Sequence, residues 1–207
     1  MPTSRKEHWE KIYAEKKPGE VSWFQQNPEK SLELILSISS PQDDRIIDVG
    51  GGASVLVDKL LKNGFHFISV LDISEKALQY TKERLGSLAD KITWITEDVT
   101  TFNPTANFDL WHDRAVFHFL TEKEDREKYV SAVKKSLKKD GYLIIATFAK
   151  DGPDKCSNLP VRQYDLALVQ EELGNDFQLV RETFETHVTP WGKPQKFSYF
   201  LFKKLTE

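Results

Sequence analysis

Cysteine is almost missing from this chain: Cys156 is the only one among 207 residues. A lone thiol cannot close an intramolecular disulfide, so the fold has to stand on packing, as in a reducing compartment. Long apolar runs are missing as well. The longest of interest, residues 142–149, falls far short of the roughly 20 residues that cross a bilayer. No apolar signal core follows Met1-Pro2-Thr3-Ser4-Arg5-Lys6-Glu7, so a cytoplasmic location away from membranes is expected. Positive charge is not in excess. With 29 basic against 32 acidic residues the net charge is −3, which offers a polyphosphate no general attraction and argues against a nucleic-acid partner. Lys134, Lys135, Lys138 and Lys139 fall between apolar positions at helical spacing and read as a solvated face. Ligand pairs are lacking too: His8, His66, His112, His118 and His187 show no paired spacing with one another or with a cysteine, so no metal is expected. The tripeptides Gly-Lys-Ser and Gly-Lys-Thr do not occur, which removes a Walker-type phosphate loop.

The sequence does contain an alternation of strand and helix. Residues 45–50 form a short apolar run closed by glycines, and residues 53–62 carry leucine and valine at helical spacing. Residues 66–73 are β-rich and lead to Ser74, which can cap a helix ending near Gly86. Further strands are expected at 91–99, 108–113 and 142–149, with a capped helix beginning at Thr121-Glu122-Lys123-Glu124 and ended by Asp140-Gly141. Residues 166–173 read as a helix. The β-rich runs 178–189 and 197–203 are joined only by Pro190-Trp191-Gly192-Lys193-Pro194, too short for a crossover helix, and should pair as a hairpin. Ahead of the first strand, Trp9 and Tyr13 lie four apart on a helix, residues 21–24 form an aromatic run, and residues 28–38 read as a second amphipathic helix.

Asp48-Val49-Gly50-Gly51-Gly52-Ala53-Ser54 lies where a strand turns into a helix, the place where open parallel sheets bind ligands. Glycines there let a ligand approach the backbone, and Asp48 can attract an ammonium group. Asp72, followed by Ile73, lies 22 residues beyond Gly50, the separation that brings an acid beside a ribose with free 2′ and 3′ hydroxyls. Asp98 ends the third strand, where it can accept from an adenine amino group while Val99 packs on the ring. Each acid taken singly could equally cap a turn. A dinucleotide fingerprint would need glycine where Val55 stands.

These motifs resemble the S-adenosylmethionine-binding motifs of class I methyltransferases, over roughly residues 45–150. The resemblance implies a three-layer α/β sandwich with a mostly parallel seven-stranded sheet ending in an antiparallel C-terminal hairpin. It would be one methyltransferase domain, with an N-terminal cap or lid over 1–44, a cofactor-binding core over 45–150, and a substrate loop, helix and hairpin over 151–207. By the same resemblance Asp48, Gly50 and Gly52 would line the methionine part, Asp72 the ribose, and Asp98 with Val99 the adenine of S-adenosylmethionine, with Gly51 and Ile73 as further cofactor-binding residues. Ser54 departs from the family's usual third glycine, so the helix should start slightly farther from the cofactor or be capped by the serine hydroxyl.

Methyl transfer from a sulfonium is an in-line displacement in which alignment in a dry pocket counts most, and a base is needed only where the acceptor must lose a proton. His112, Asp113 and His118, beside the fourth strand, are the candidate bases or positioners; for His118 packing beside the cofactor is the preferred reading. Trp9, Tyr13 and Trp23 could close over the cofactor and offer ring faces to the sulfonium, an attraction of roughly 0.5 to 2 kcal/mol. Core packing explains Trp9 and Tyr13 equally well. Phe24, Arg114, Arg162 and Tyr164 are the candidate acceptor contacts, the last two in the irregular segment after the fifth strand, where such folds usually choose their substrate. The order His8-Trp9-Glu10, Tyr13, Ser22-Trp23-Phe24 is similar to the opening of small protein-lysine and thiopurine-type methyltransferases. Neither Asn-Pro-Pro-Tyr nor Asp-Pro-Pro-Tyr follows the fourth strand, which speaks against nucleic-acid and glutamine acceptors. The expected partner is a small-molecule acceptor, with a protein lysine as the second reading and a non-catalytic cofactor-binding protein as the third. A monomer or weak dimer is expected.

Overall fold

The computed structural model describes residues 4–206, so residues 1–3 and 207, at the ends of the expected cap and hairpin segments, lie outside the description. Five parallel strands form first: β1 (Arg45–Val49), β2 (Phe67–Asp72), β3 (Ile92–Thr96), β4 (Phe108–Arg114) and β5 (Leu137–Phe148). A two-stranded ribbon, β6 (Lys155–Cys156) and β7 (Leu159–Pro160), stands apart from the main sheet. The chain then closes with the hairpin β8 (Phe177–Val188) and β9 (Pro194–Lys204), in which β9 runs antiparallel to both β8 and β5. The seven-stranded order is β3-β2-β1-β4-β5-β9-β8.

The central strands are apolar on both faces, as strands covered by helices must be. Alternation along β1 and β4 divides the core in two. Ile46 and Leu110 pack with Leu34 and Ile35 of α2 (Glu29–Ile38), Leu56 and Leu60 of α3 (Leu56–Lys62), and Leu78 of α4 (Glu75–Leu85). Ile47 and Trp111 pack on the other face with Tyr129 and Val133 of α5 (Lys123–Ser136) and Val169 and Leu173 of α6 (Leu166–Leu173). The result is the expected three-layer sandwich. The first helix, α1 (Arg5–Glu15), is started by a Ser4–Glu7 capping box and lies across α4, whose first amide, that of Glu75, donates to Glu10 Oε1 at 2.7 Å. Among the described residues no helix is long and apolar enough to cross a membrane.

Two expected boundaries moved. The helix after β1 starts at Leu56 and not at residue 53, because the Ser54 amide donates to the Gly51 carbonyl and closes a turn first. The serine hydroxyl then accepts from the Leu56 amide at 3.1 Å, the capping role open to it. Likewise α5 ends at Ser136, and Asp140-Gly141 does not terminate it. Leu137 already pairs with Phe108, and Asp140, at φ 63°, sits in an irregularity of the β4–β5 register inside the strand. Glu122 precedes α5 without a side-chain cap, whereas Ser74 caps α4 through the Ala77 amide at 3.2 Å.

One buried polar chain ties α5 to the sheet: Trp111 Nε1 donates to the Tyr129 hydroxyl at 3.0 Å, which donates to Asp113 Oδ2 at 2.7 Å. Removing the hydroxyl leaves an indole N–H without an acceptor in the core. Tyr129→Phe is therefore expected to lower unfolding stability by about 1–3 kcal/mol, measured by urea denaturation; a loss below a few tenths would show the chain contributes nothing net.

Candidate active site

The strand order reverses about β1, which opens a crevice at the carboxyl ends of β1 and β4. The turn leaving β1 fills it with backbone. Gly50 has φ +70°, and a Cβ on it would run into the side chain of Val116. At Gly52 a Cβ would meet Asp72 Oδ2 and Ala77 Cβ, each at 2.5 Å. Asp72, at the end of β2, shapes this turn: its Oδ2 accepts from the Gly52 amide at 3.0 Å and its Oδ1 from the Ser74 amide at 2.8 Å. Each oxygen keeps a second lone pair. Burial pushes Asp72 up to about 6, against the pull of those two amides and with some help from the charges of Asp48 and Glu10.

Asp48 points from β1 toward the same turn. Its Oδ1 accepts from His112 Nδ1 at 2.7 Å, and its buried Oδ2 has no partner. Asp98 follows β3, where its Oδ1 accepts from the Thr100 amide and hydroxyl at 2.9 and 2.8 Å and receives Arg5 at 3.4 Å. Arg5 also holds Asp125 at 2.6 Å, so α1 is tied across the mouth of the crevice.

A cleft of about 790 Å³, counting its open mouth, runs along this rim. Trp9, Tyr13, Trp23, Gly50, Asp72, Ile73, Asp98, Val99 and Arg114 line it. The rings form one cluster, with Trp9 edge-on to Trp23 at 5.5 Å and to Phe119 at 5.0 Å, and Trp23 Nε1 donating to the Tyr13 hydroxyl at 3.2 Å. Asp48, Gly51, Phe24 and His112 line an adjoining cavity of about 540 Å³ on the other side of the turn. Gly52 lies behind it, its carbonyl accepting from Thr81 Oγ1 at 2.5 Å.

Four further expected residues lie elsewhere. Asp113 is buried under three donors, the Val116 and Phe117 amides and the Tyr129 hydroxyl, and lines neither cavity. His118 is buried against Phe148, with Nδ1 accepting from the Phe148 amide at 3.2 Å; burial and then Arg114 push its pKa down to about 3. Arg162 pairs with Glu172 at 2.6 Å, and Tyr164 stacks with Phe117 in the core on the α5–α6 face. The cleft also takes residues that the motifs did not single out: Arg5, Leu71, Val116, Phe119, Phe148 and Cys156. Arg5 is one helical turn before Trp9, a spacing that did place it on the same face. Nothing local marks Phe148, which ends β5, as a wall of the cleft. Arg114 is held at the border of both cavities, donating to the Tyr199 hydroxyl at 2.9 Å and the Trp23 carbonyl at 3.1 Å with its guanidinium over Phe197.

A glycine cradle, a partnerless buried carboxylate oxygen and two further acids along one rim suit an adenosyl group carrying an amino-acid tail. Residues 46–141 match the family model described as a methyltransferase domain. Thiocyanate methyltransferase 1 of Arabidopsis thaliana is 33% identical over 141 residues, which are 66% of this chain and 59% of that protein. EEF1A lysine methyltransferase 2 of Homo sapiens is 24% identical over 161 residues, 69% of this chain and 66% of that protein. The chain spans about half the length of the curated relatives it matches, 40% to 59% of the first three. A solved SAM-dependent methyltransferase from Anabaena variabilis superposes with a TM-score of 0.75 over 97% of this chain and 95% of its own, at 14% identity, which shows the shared fold. Residues 46–141 thus resemble a methyltransferase domain, set in a fold shared with solved SAM-dependent methyltransferases.

Burial also raises Asp113 to about 6, against its hydrogen bonds. The folded-state value lies above the ordinary one, so the folded protein binds the extra proton between pH 4 and 6, and this group adds stability as pH falls. Between pH 7 and pH 5 the wild type should gain roughly 1 kcal/mol relative to Asp113→Asn in urea unfolding. Parallel profiles for the two proteins would contradict the raised value.

Proposed function

We propose that this protein transfers the methyl group of S-adenosylmethionine to a sulfur, nitrogen or oxygen atom of a small molecule. The observation carrying this reading is the continuity of the cleft: it runs from Asp98 and Asp72 past Gly50 into a chamber walled by Trp9, Trp23, Phe119 and Phe148 and roofed by the N-terminal residues. In this proposal residues 1–44 act as the cap, 45–150 as the cofactor-binding core and 151–207 as the acceptor side. Asp98 and Val99 would hold the adenine, Asp72 and Ile73 the ribose, and Asp48 with Gly50 and Gly51 the methionine part. The bound cofactor supplies an electrophilic methyl on a sulfonium. The chain's own contribution is to align an acceptor and exclude water, the two largest levers for such a displacement.

Among the described residues, none of the expected bases stands in the chamber free to take a proton. Both nitrogens of His112 are engaged, Asp113 and His118 face elsewhere, and burial holds the Tyr13 hydroxyl far above its ordinary pKa. The acceptor would then arrive already nucleophilic, as a thiolate or a neutral amine. The thiocyanate-methylating relative supports a small acceptor. The lysine-methylating relative supports the second reading, a protein lysine.

Labelled cofactor incubated with fractionated lysate separates the two: label in the low-molecular-weight fraction is expected, and label only in macromolecules would remove the first reading. With an acceptor in hand, the rise of kcat/KM with pH should follow the acceptor's own pKa when acceptors are varied. A fixed midpoint shared by all acceptors would expose an enzyme base. Asp72→Ala should weaken S-adenosylhomocysteine binding by about 1.5–3 kcal/mol in calorimetry, and unchanged affinity in the folded variant would contradict its ribose role.

A further inference from the structure

His112 does not reach the cleft, yet it is built into the molecule with unusual care. It lies beside Asp48 in the β1–β4 register, 2% exposed, with Nδ1 2.7 Å from Asp48 Oδ1 and Nε2 2.9 Å from the hydroxyl of Ser31. Ser31 is 1% exposed and belongs to α2, in the N-terminal region, far in sequence from either partner. A carboxylate can only accept, so Nδ1 carries the hydrogen; in the neutral ring Nε2 is then bare and accepts the serine hydroxyl. The three groups form a directed chain from α2 through β4 to β1.

This chain leaves one loose end. Asp48 Oδ2 is buried without a hydrogen-bond partner and lies where a Cβ on Gly51 would stand, and Asp48 is one of the residues lining the cavity of about 540 Å³ beside the turn. Leaving a buried carboxylate oxygen without a partner is costly, and burial of this kind persists where a ligand supplies the missing donor. An ammonium supplies it best, because the hydrogen bond is then charge-assisted. Fixing Oδ1 on the imidazole also fixes the rotation of the carboxylate, so Oδ2 can only face the glycine turn.

We propose that Ser31 and His112 are positioning residues that hold Asp48 so its free oxygen captures the ammonium of the cofactor's amino-acid tail. The inference rests on the cofactor reading above and goes beyond it: it assigns the N-terminal region, through Ser31, a direct part in cofactor affinity. Both residues line the cavity beside the turn together with Asp48, and their role is to act through its carboxylate.

Two ligands that share the adenosine and thioether, and differ in the tail, isolate this role. S-adenosylhomocysteine has the ammonium; 5′-methylthioadenosine lacks the whole amino-acid tail. By calorimetry, His112→Phe should bind S-adenosylhomocysteine about tenfold more weakly and 5′-methylthioadenosine as the wild type does. His112→Asn keeps an N–H close to the place of Nδ1 and should recover most of the loss. Ser31→Ala, the milder change should the phenylalanine variant fail to fold, is expected to cost roughly three- to fivefold for S-adenosylhomocysteine alone. Equal weakening of both ligands, or undiminished binding of S-adenosylhomocysteine in a folded Ser31→Ala protein, overturns the proposal. If the wild type binds neither ligand, the cofactor reading itself fails, an outcome distinct from either.

Discussion

A turn without side chains has no shape of its own, and the segment Gly50-Gly51-Gly52 takes its shape from the carboxylate of Asp72. One oxygen grips the Gly52 amide and the other the Ser74 amide, so the exit of β1, the exit of β2 and the start of α4 are fixed against one another. The grip works only because the glycines leave room: a Cβ at position 52 would occupy the place of Asp72 Oδ2, and one at position 51 the place of Asp48 Oδ2. The same bareness that exposes the backbone to a ligand lets two acids close in from either side. The buried charge at Asp72 therefore serves the protein's own architecture before any ligand arrives.

Once the turn is set, the N-terminal region has a surface to dock on. Glu10 accepts from the first amide of α4, which satisfies a donor that a helix start leaves open and places a negative charge at the favourable end of its dipole. Arg5 spans Asp98 and Asp125, and Trp9 wedges between Trp23 and Phe119. Half-buried ion pairs of this kind, still in reach of solvent, are worth little singly. Most of the docking free energy comes from the aromatic rings, whose burial also makes the chamber walls apolar. Of the two readings that the sequence left open for Trp9 and Tyr13, these contacts are the packing one.

Much of this was legible from periodicity and turn chemistry. The strand and helix alternation, the Ser74 cap, the C-terminal hairpin and the three acids at successive strand ends all depend on local patterns, and local patterns decided them. The misplaced boundaries have local causes of another kind. Asp140-Gly141 is a good helix stop, but Leu137 had already been drawn into the sheet by Phe108 and Lys204 Nζ, and the turn residues were absorbed as a bulge. Ser31 carries no signal at all: a serine in the first turn of an amphipathic helix is ordinary, and only the tertiary fold brings it to His112. Phe148 and Cys156 reach the cleft through the same kind of distant contact.

The candidate bases His112 and Asp113 show why adjacency in sequence misleads on a strand. Successive side chains on β4 point to opposite faces. His112 therefore turns to the α2 side, where Ser31 and Asp48 await it, while Asp113 turns to the α5 side and collects the Val116 and Phe117 amides and the Tyr129 hydroxyl. Two neighbouring candidate bases are separated by the sheet itself. Each then meets a different demand: Asp113 holds the loop after β4, whose Val116 and Phe119 line the cleft, and His112 orients Asp48, whose second oxygen is buried and open. The functional asymmetry of the site thus comes from the two-residue period of a single strand.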